Sequence, residues 1–323
     1  MKPQVASGDT PTGGTTTTEA AITATGVTVR YGSKVAVDNV DFSVAAGQIV
    51  GLIGPNGAGK TSLMECIEGL RKSSAGDIRV LGVDPVRDRT AMARIAGVQL
   101  QDSAYPTRTR VDELCTLFAG FYQDPADPDE LLEQFGLTEK KRSQVTKLSG
   151  GQRQRLSLVL SLIGKPEIVF LDELTTGLDP EARRTVWDGL RRRNEEGLTI
   201  VLSSHHMEEV EYLCDRVSVI VAGSIVATGS VAELIAAHAT GGERIIVEDA
   251  ASHGALREAL VELGDGVTVT PAGNRIQVDI DDASLRDRVT ALFDEHSAVS
   301  RAVTASMDDV YVALTKQHAT DGE

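Results

Sequence analysis

The run Gly54-Pro55-Asn56-Gly57-Ala58-Gly59-Lys60-Thr61 fits the pattern G-x-x-x-x-G-K-[ST], a spacing suited to holding phosphates. Its glycines let the backbone turn tightly, so that several N–H groups point inward at an anion. The helix that must follow adds the partial positive charge of its N-terminus at the same point. Lys60 can then reach the β- and γ-phosphates of a nucleoside triphosphate, and the Thr61 hydroxyl can ligate Mg²⁺, with Ser62 next along that helix.

A second chemical group lies further along, where the apolar strand Ile168-Val169-Phe170-Leu171 ends in Asp172-Glu173. A strand in a parallel sheet delivers its last side chains to the carboxyl edge, where ligands bind. Asp172 is placed to hold Mg²⁺ through water, and Glu173 to polarise an attacking water. Neighbours on a strand point to opposite faces, so both can serve one site only if the twist relaxes at the strand end. On its own such a pair reads as a solvated turn; the phosphate cradle upstream makes it a hydrolytic one.

Between these two groups, Leu148-Ser149-Gly150-Gly151-Gln152 opens a helix with a hydroxyl and glycine N–H groups, a second anion site. This segment resembles the signature motif of ABC ATPases, and the order cradle, signature, acidic strand end is similar to that family's over about residues 21–235. The resemblance implies that Ser149, Gly150, Gly151 and Gln152 cover the γ-phosphate of ATP held by a partner subunit. It therefore implies a head-to-tail homodimer, or a heterodimer with a related ATPase, with ATP and Mg²⁺ as cofactors. It further implies that Tyr31 stacks on adenine and that Gln101 touches Mg²⁺ and the water, with Gln99 a rival two residues earlier. By the same resemblance Glu173 and His205 are catalytic, His205 at the γ-phosphate with His206 a bystander. The resemblance also implies that Asp179 in Gly177-Leu178-Asp179 crosses the dimer interface. One position departs from the family: Leu174 stands where proline is usual, and without a fixed backbone it is expected to loosen the turn bearing Glu173 and Asp179.

The elements that must position these groups follow from local pattern. Ile22 to Tyr31 and Val35 to Val44 read as antiparallel strands joined at Gly32-Ser33, and Gln48 to Ile53 as a short strand feeding the cradle. Helices are expected at Val111 to Tyr122 and Pro128 to Phe135, broken apart by Asp124-Pro125 and Asp127-Pro128. Further helices, at Gln152 to Ile163, Pro180 to Asn194 and Met207 to Cys214, alternate with strands at Ile168 to Leu171, Thr199 to Ser203 and Val217 to Val221. Such alternation predicts a mainly parallel, helix-covered sheet. The expected fold class is α/β, a P-loop NTPase cassette of the ABC type over residues 21–237. It has a mainly parallel sheet, an antiparallel β subdomain and a helical subdomain at about 102–147. Residues 1–20, rich in Thr, Gly and Ala without apolar periodicity, read as a disordered tail lacking the basic start of a signal peptide. After a linker at His238 to Gly242, residues 243–316 read as strand, helix, strand, turn at Pro271 to Asn274, strand, helix, strand. That is the order of a small α+β ferredoxin-like accessory domain.

The whole chain narrows the partners. A net charge of −15 over 323 residues argues against nucleic acid as primary partner, because phosphate contacts need clustered Lys and Arg. No apolar run approaches the roughly 20 residues that span a bilayer, so a membrane role needs another chain to supply the pore. Cys66, Cys115 and Cys214, far apart and without a CxxC pair, read as buried free thiols. Within the family, Gln99-Leu100-Gln101, Thr175-Thr176-Gly177-Leu178-Asp179-Pro180 and the ending Asp308-Asp309-Val310-Tyr311-Val312-Ala313-Leu314-Thr315 look most like ATPase subunits of bacterial drug exporters, including antibiotic self-resistance pumps of the daunorubicin type. That resemblance implies a peripheral protein on the cytoplasmic face of the cell membrane, working on a separate multi-span permease. An importer subunit is the nearer alternative. A relative acting on ribosomes or DNA is the farther one, since such relatives carry two cassettes or a long coiled coil.

Overall fold

The computed structural model describes residues 20–99, 105, 108–238, 243–248, 254–280 and 282–320. Two long strands, β1 (Ala20–Tyr31) and β2 (Lys34–Ala45), pair antiparallel across the Gly32-Ser33 turn. Ala20 pairs with Ala45, so the last residue of the expected tail belongs to β1; the rest of that tail lies outside the described residues. The fully buried β3 (Ile49–Ile53) leads through the glycine loop into α1 (Lys60–Ile67). Three short elements follow that carry no clear sequence signal: β4 (Ala75–Val80), α2 (Arg89–Ile95) and β5 (Ala96–Gln99). With Gly and Asp in it, β4 has little strand preference of its own; antiparallel pairing on β1, with Val80 opposite Ile22, fixes it.

Helices α3 (Val111–Ala119) and α4 (Pro128–Gln134) make up the helical insertion. The Asp127 carboxylate caps α4 and Pro128 occupies its first position, which needs no N–H partner. Strands and helices then alternate: α5 (Gly150–Leu162), β6 (Ile168–Asp172), α6 (Pro180–Glu195), β7 (Thr199–Ser204), α7 (Met207–Leu213) and β8 (Arg216–Val221). β9 (Ser224–Gly229) returns antiparallel along β8 and leads to α8 (Val231–His238), which takes up the first residue of the expected linker. Ser230 and Glu233 exchange hydrogen bonds of 2.8 and 3.2 Å across the start of α8, a capping box.

Six strands form one sheet in the order β5-β6-β7-β3-β8-β9, with parallel neighbours except at β8-β9. Its central strand is apolar throughout because both faces are covered. Ile49 and Ile53 join the core under α5, α6 and α7, whereas Val50 and Leu52 join the core shared with α1, β1 and β2. The sheet β2-β1-β4 closes over that second core.

The C-terminal stretch contains β10 (Glu243–Val247), α9 (Gly254–Val261), β11 (Val267–Ala272), β12 (Arg275–Ile280), α10 (Arg286–Glu295) and β13 (Ser300–Val303). Its four strands pair antiparallel in the order β11-β12-β10-β13. Leu256 and Leu260 of α9 and Val289 and Phe293 of α10 bury one face of it. Pro271, expected in the turn, pairs with Ile276 instead; on an edge strand its missing N–H faces no partner.

The last helix, α11 (Met307–Thr320), leaves this sheet and packs on α7, α8 and β8. Met307, Val310 and Leu314, spaced as one helical face, belong to the core of the six-stranded sheet. The Met307 N–H donates to Glu211 Oε1 on α7 at 2.6 Å. Arg244 on β10 ties the two parts together, donating to Asp279 on β12 at 2.6 Å and to Asp309 on α11. Among the described residues no helix is long and apolar enough to cross a membrane.

Candidate active site

The glycine loop lies at the carboxyl end of β3, and its shape depends on missing side chains. A Cβ on Gly54 would sit 2.1 Å from the Ile220 carbonyl oxygen on β8. Gly59 has φ +109 and a Cβ there would meet the Ala36 carbonyl at 2.3 Å, so backbone and space both demand glycine. Lys60 is 6% exposed, and its Nζ donates to the Gly54 and Pro55 carbonyls at 2.7 and 3.2 Å. Burial pushes the ammonium pKa down, while the charges of Glu173 and Asp172 pull it up. A cleft of about 360 Å³ opens at this point, lined by Tyr31, Lys34, Asn56, Gly57, Lys60, Thr61, Ser62 and Glu173 among others.

Asp172 ends β6 directly opposite Ser203 on β7, whose hydroxyl donates to its carboxylate. Burial raises the Asp172 pKa and this hydrogen bond opposes the rise. Glu173 then leaves the strand with φ +48, in the left-handed region. The chain therefore turns between the two carboxylates instead of continuing the strand, with Glu173 lining the cleft and Asp172 ending the strand beside it. The Glu173 N–H is held by Ser203, through its carbonyl at 3.2 Å and its hydroxyl at 3.3 Å. The side chain of Leu174, which stands where proline is usual, is 2% exposed and packs in the core.

His205, just past β7, has Nδ1 3.4 Å from Glu173 Oε1. His206 lies at the N-cap position of α7, its N–H bonded to Ser204 Oγ at 3.0 Å, and burial lowers its pKa. Tyr31 at the end of β1 is 43% exposed, with its hydroxyl 3.1 Å from Ser62 Oγ. Gln101 lies outside the described residues. Gln99 ends β5 opposite Leu171, buried, with Oε1 unpaired among the described residues.

The second anion motif is not brought to this cleft. Ser149 Oγ accepts the Gln152 N–H at 3.2 Å and Gln152 Oε1 accepts the Ser149 N–H at 3.0 Å, a capping box that starts α5. Gly150 faces open space, whereas a Cβ on Gly151 would strike Leu178 at 2.6 Å. Asp179 caps α6 through the Ala182 N–H at 2.8 Å. None of these residues lines the cleft. Ser203 had no motif to reveal it; its signal is a hydroxyl whose register places it against a strand-end aspartate.

A phosphate loop between a parallel strand and a helix, facing an acidic strand end, defines a nucleoside-triphosphate-hydrolysing protein of the P-loop class. The family profile described as ABC transporter matches residues 37–176. The chain is 41% identical over 304 residues to daunorubicin resistance ATP-binding protein DrrA3 of Streptomyces coeruleorubidus, covering 92% of this chain and 93% of that one. It is 33% identical over 276 residues to linearmycin resistance ATP-binding protein LnrL of Bacillus subtilis, covering 83% and 88%. With Nod factor export ATP-binding protein I of Mesorhizobium japonicum it shares 41% identity over 224 residues, 68% and 66% of the two chains. The chain thus belongs to the ABC transporter family, as an ATP-binding, ATP-hydrolysing protein. The cassette fold is shared with the solved ATP-binding subunit of an ABC transporter, at TM-score 0.62 and 24% identity over 67% of this chain and 92% of that one. It is also shared with a dimeric cassette in a post-hydrolysis state bound to ADP and Pi, at TM-score 0.59 and 21% identity over 65% and 98%.

Proposed function

We propose that this chain is the ATPase subunit of an exporter, hydrolysing ATP with Mg²⁺ inside a head-to-tail dimer and driving a separate multi-span permease. Tyr31 stacks on the base, and the loop from Gly54 through Pro55, Asn56, Gly57, Ala58 and Gly59 surrounds the phosphates. Lys60 exchanges its carbonyl partners for phosphate oxygens. The Thr61 hydroxyl and the Asp172 carboxylate, with Gln101, are hard oxygen donors of the kind Mg²⁺ takes, a fit supported by Thr61 lining the cleft and Asp172 ending the strand beside it. When bound, the ion neutralises charge on the phosphate oxygens. Glu173 orients the attacking water and draws off its proton as the new P–O bond forms and the bond to the β-phosphate oxygen breaks. His205, beside Glu173, donates to the γ-phosphate oxygens as charge builds there.

One observation carries the dimer: the residues from Ser149 to Gln152 cap their own helix away from the cleft that needs a cover. In the dimer, Ser149, Gly150 and Gly151 at the start of one copy's α5 cover the phosphates held by the other, and Asp179 reaches across. Solved cassettes of the same fold are dimeric, which supports a dimer here. Export of a drug or other small molecule is supported by the daunorubicin, linearmycin and Nod factor relatives. The protein would then lie peripherally on the cytoplasmic face of the membrane. Tagged Glu173→Gln chain, loaded with ATP and Mg²⁺, is to be pulled down from detergent-solubilised host membranes. A polytopic membrane protein in near-equal amount is expected; ribosomal proteins, or no membrane partner, would overturn the transport role.

A further inference from the structure

Tyr31 is held from two sides, by Ser62 of α1 and by Arg71, which lies past the end of that helix and is tied to its Glu65. Ser62 and Glu65 lie three apart, on one face of α1. Ser62 Oγ pairs with the Tyr31 hydroxyl at 3.1 Å. Glu65 Oε2 accepts from Arg71 Nε at 2.6 Å, and its carbonyl accepts the Arg71 N–H at 2.9 Å, so the guanidinium is fixed at both ends of the residue. That guanidinium lies over the Tyr31 ring, 4.6 Å from its centroid, within range of a cation–π contact. Tyr31 and Ser62 line the nucleotide cleft, whereas Arg71 and Glu65 do not. One face of the ring is therefore backed by a fixed cation while the residue still borders the cleft.

We infer that Arg71, anchored by Glu65, is a positioning residue for nucleotide binding that fixes the Tyr31 ring in the orientation on which the base stacks. The inference rests on Tyr31 being the base platform. A tyrosine at a strand end with 43% exposure would otherwise sample several rotamers. Holding it before the base arrives removes that ordering cost from binding. The effect belongs to affinity rather than turnover, because Arg71 stands outside the cleft where the phosphates react.

The test uses the full chain, with steady-state ATP hydrolysis and inorganic tripolyphosphate as a competitor that fills the cradle but has no base. Arg71→Ala should raise the KM for ATP by about two- to fivefold, the yield of an exposed cation–π contact. Its kcat should stay within about twofold, and inhibition by tripolyphosphate should be unchanged. Arg71→Lys, a cation without the planar guanidinium, should recover part of the loss. In a Tyr31→Ala background, Arg71→Ala should add nothing further. The same added loss in that background, or equal weakening of tripolyphosphate, would overturn the inference in favour of general damage to α1. An unchanged KM in Arg71→Ala beside a raised one in Tyr31→Ala would sink the inference alone. An unchanged KM in Tyr31→Ala would sink the platform and the inference with it.

Discussion

Ser203 donates its hydroxyl to Asp172 and receives the Glu173 N–H, so one residue of β7 holds the Asp172 carboxylate and the Glu173 backbone. Glu173 keeps a left-handed backbone under that restraint, and its carboxylate faces the cleft beside His205. Replacing Glu173 with Gln keeps the shape and removes the base. Turnover should fall by about 10²-fold or more while ATP binding, read by calorimetry, persists; near-normal hydrolysis would contradict the role. Gly54→Ala acts by space alone, since the new methyl meets the Ile220 carbonyl. It should cost about 1–3 kcal/mol of stability in urea unfolding and abolish measurable ATP binding; full binding would contradict the close approach. At this scale the sequence was highly legible, because motif residues are constrained by phosphate chemistry that any chain must satisfy the same way. What escaped it was contact without motif: Ser203, and the left-handed turn at Glu173.

Among the elements, long alternating ones were readable, and those defined by their neighbours were not. β3 and β6 announce themselves as apolar runs, but β4 and β5 exist because β1 and β6 offer them edges to pair with. α8 and α11 left signals that alternation does not use: a Ser-x-x-Glu cap at Ser230 and Glu233, and Met307, Val310 and Leu314 on one face. α11 packs on α7, the helix that follows His205, and Arg244 binds it back to the C-terminal sheet. Arg244→Ala removes the shared cation from Asp279 and Asp309, each half-buried. It should cost about 1–3 kcal/mol, seen as earlier urea unfolding; an unchanged unfolding curve would contradict the link. Burial alone would raise the Asp309 pKa, but the Arg244 guanidinium and the Ser306 N–H outweigh it and hold the carboxyl below its ordinary value. A carboxyl depressed in the folded state stabilises above the unfolded aspartate pKa of about 3.9, and that contribution is lost as pH falls through the folded value. The attachment of α11 should therefore weaken in acid below about pH 4. Asp309→Asn should flatten this pH dependence in melts recorded across that range, and an unaltered profile would rule Asp309 out as its source.

In the whole molecule, one chain does not bring the signature segment to the cleft that the cradle lines. Their order along the sequence was legible; their separation in space was not, because only the fold shows that Ser149 and Gln152 cap α5 outside the cleft. The proposed dimer requires the cradle and the signature segment to meet between two copies, and mixing inactive chains tests this most directly. Lys60→Ala disables the cradle and keeps the signature, while Ser149→Arg does the reverse. Each chain alone should hydrolyse almost no ATP. An equimolar mixture should recover clear ATPase activity, since a mixed dimer holds one intact cradle facing one intact signature. A mixture no faster than its two components would show that the signature does not complete a partner's site, and the proposed dimer mechanism would fall.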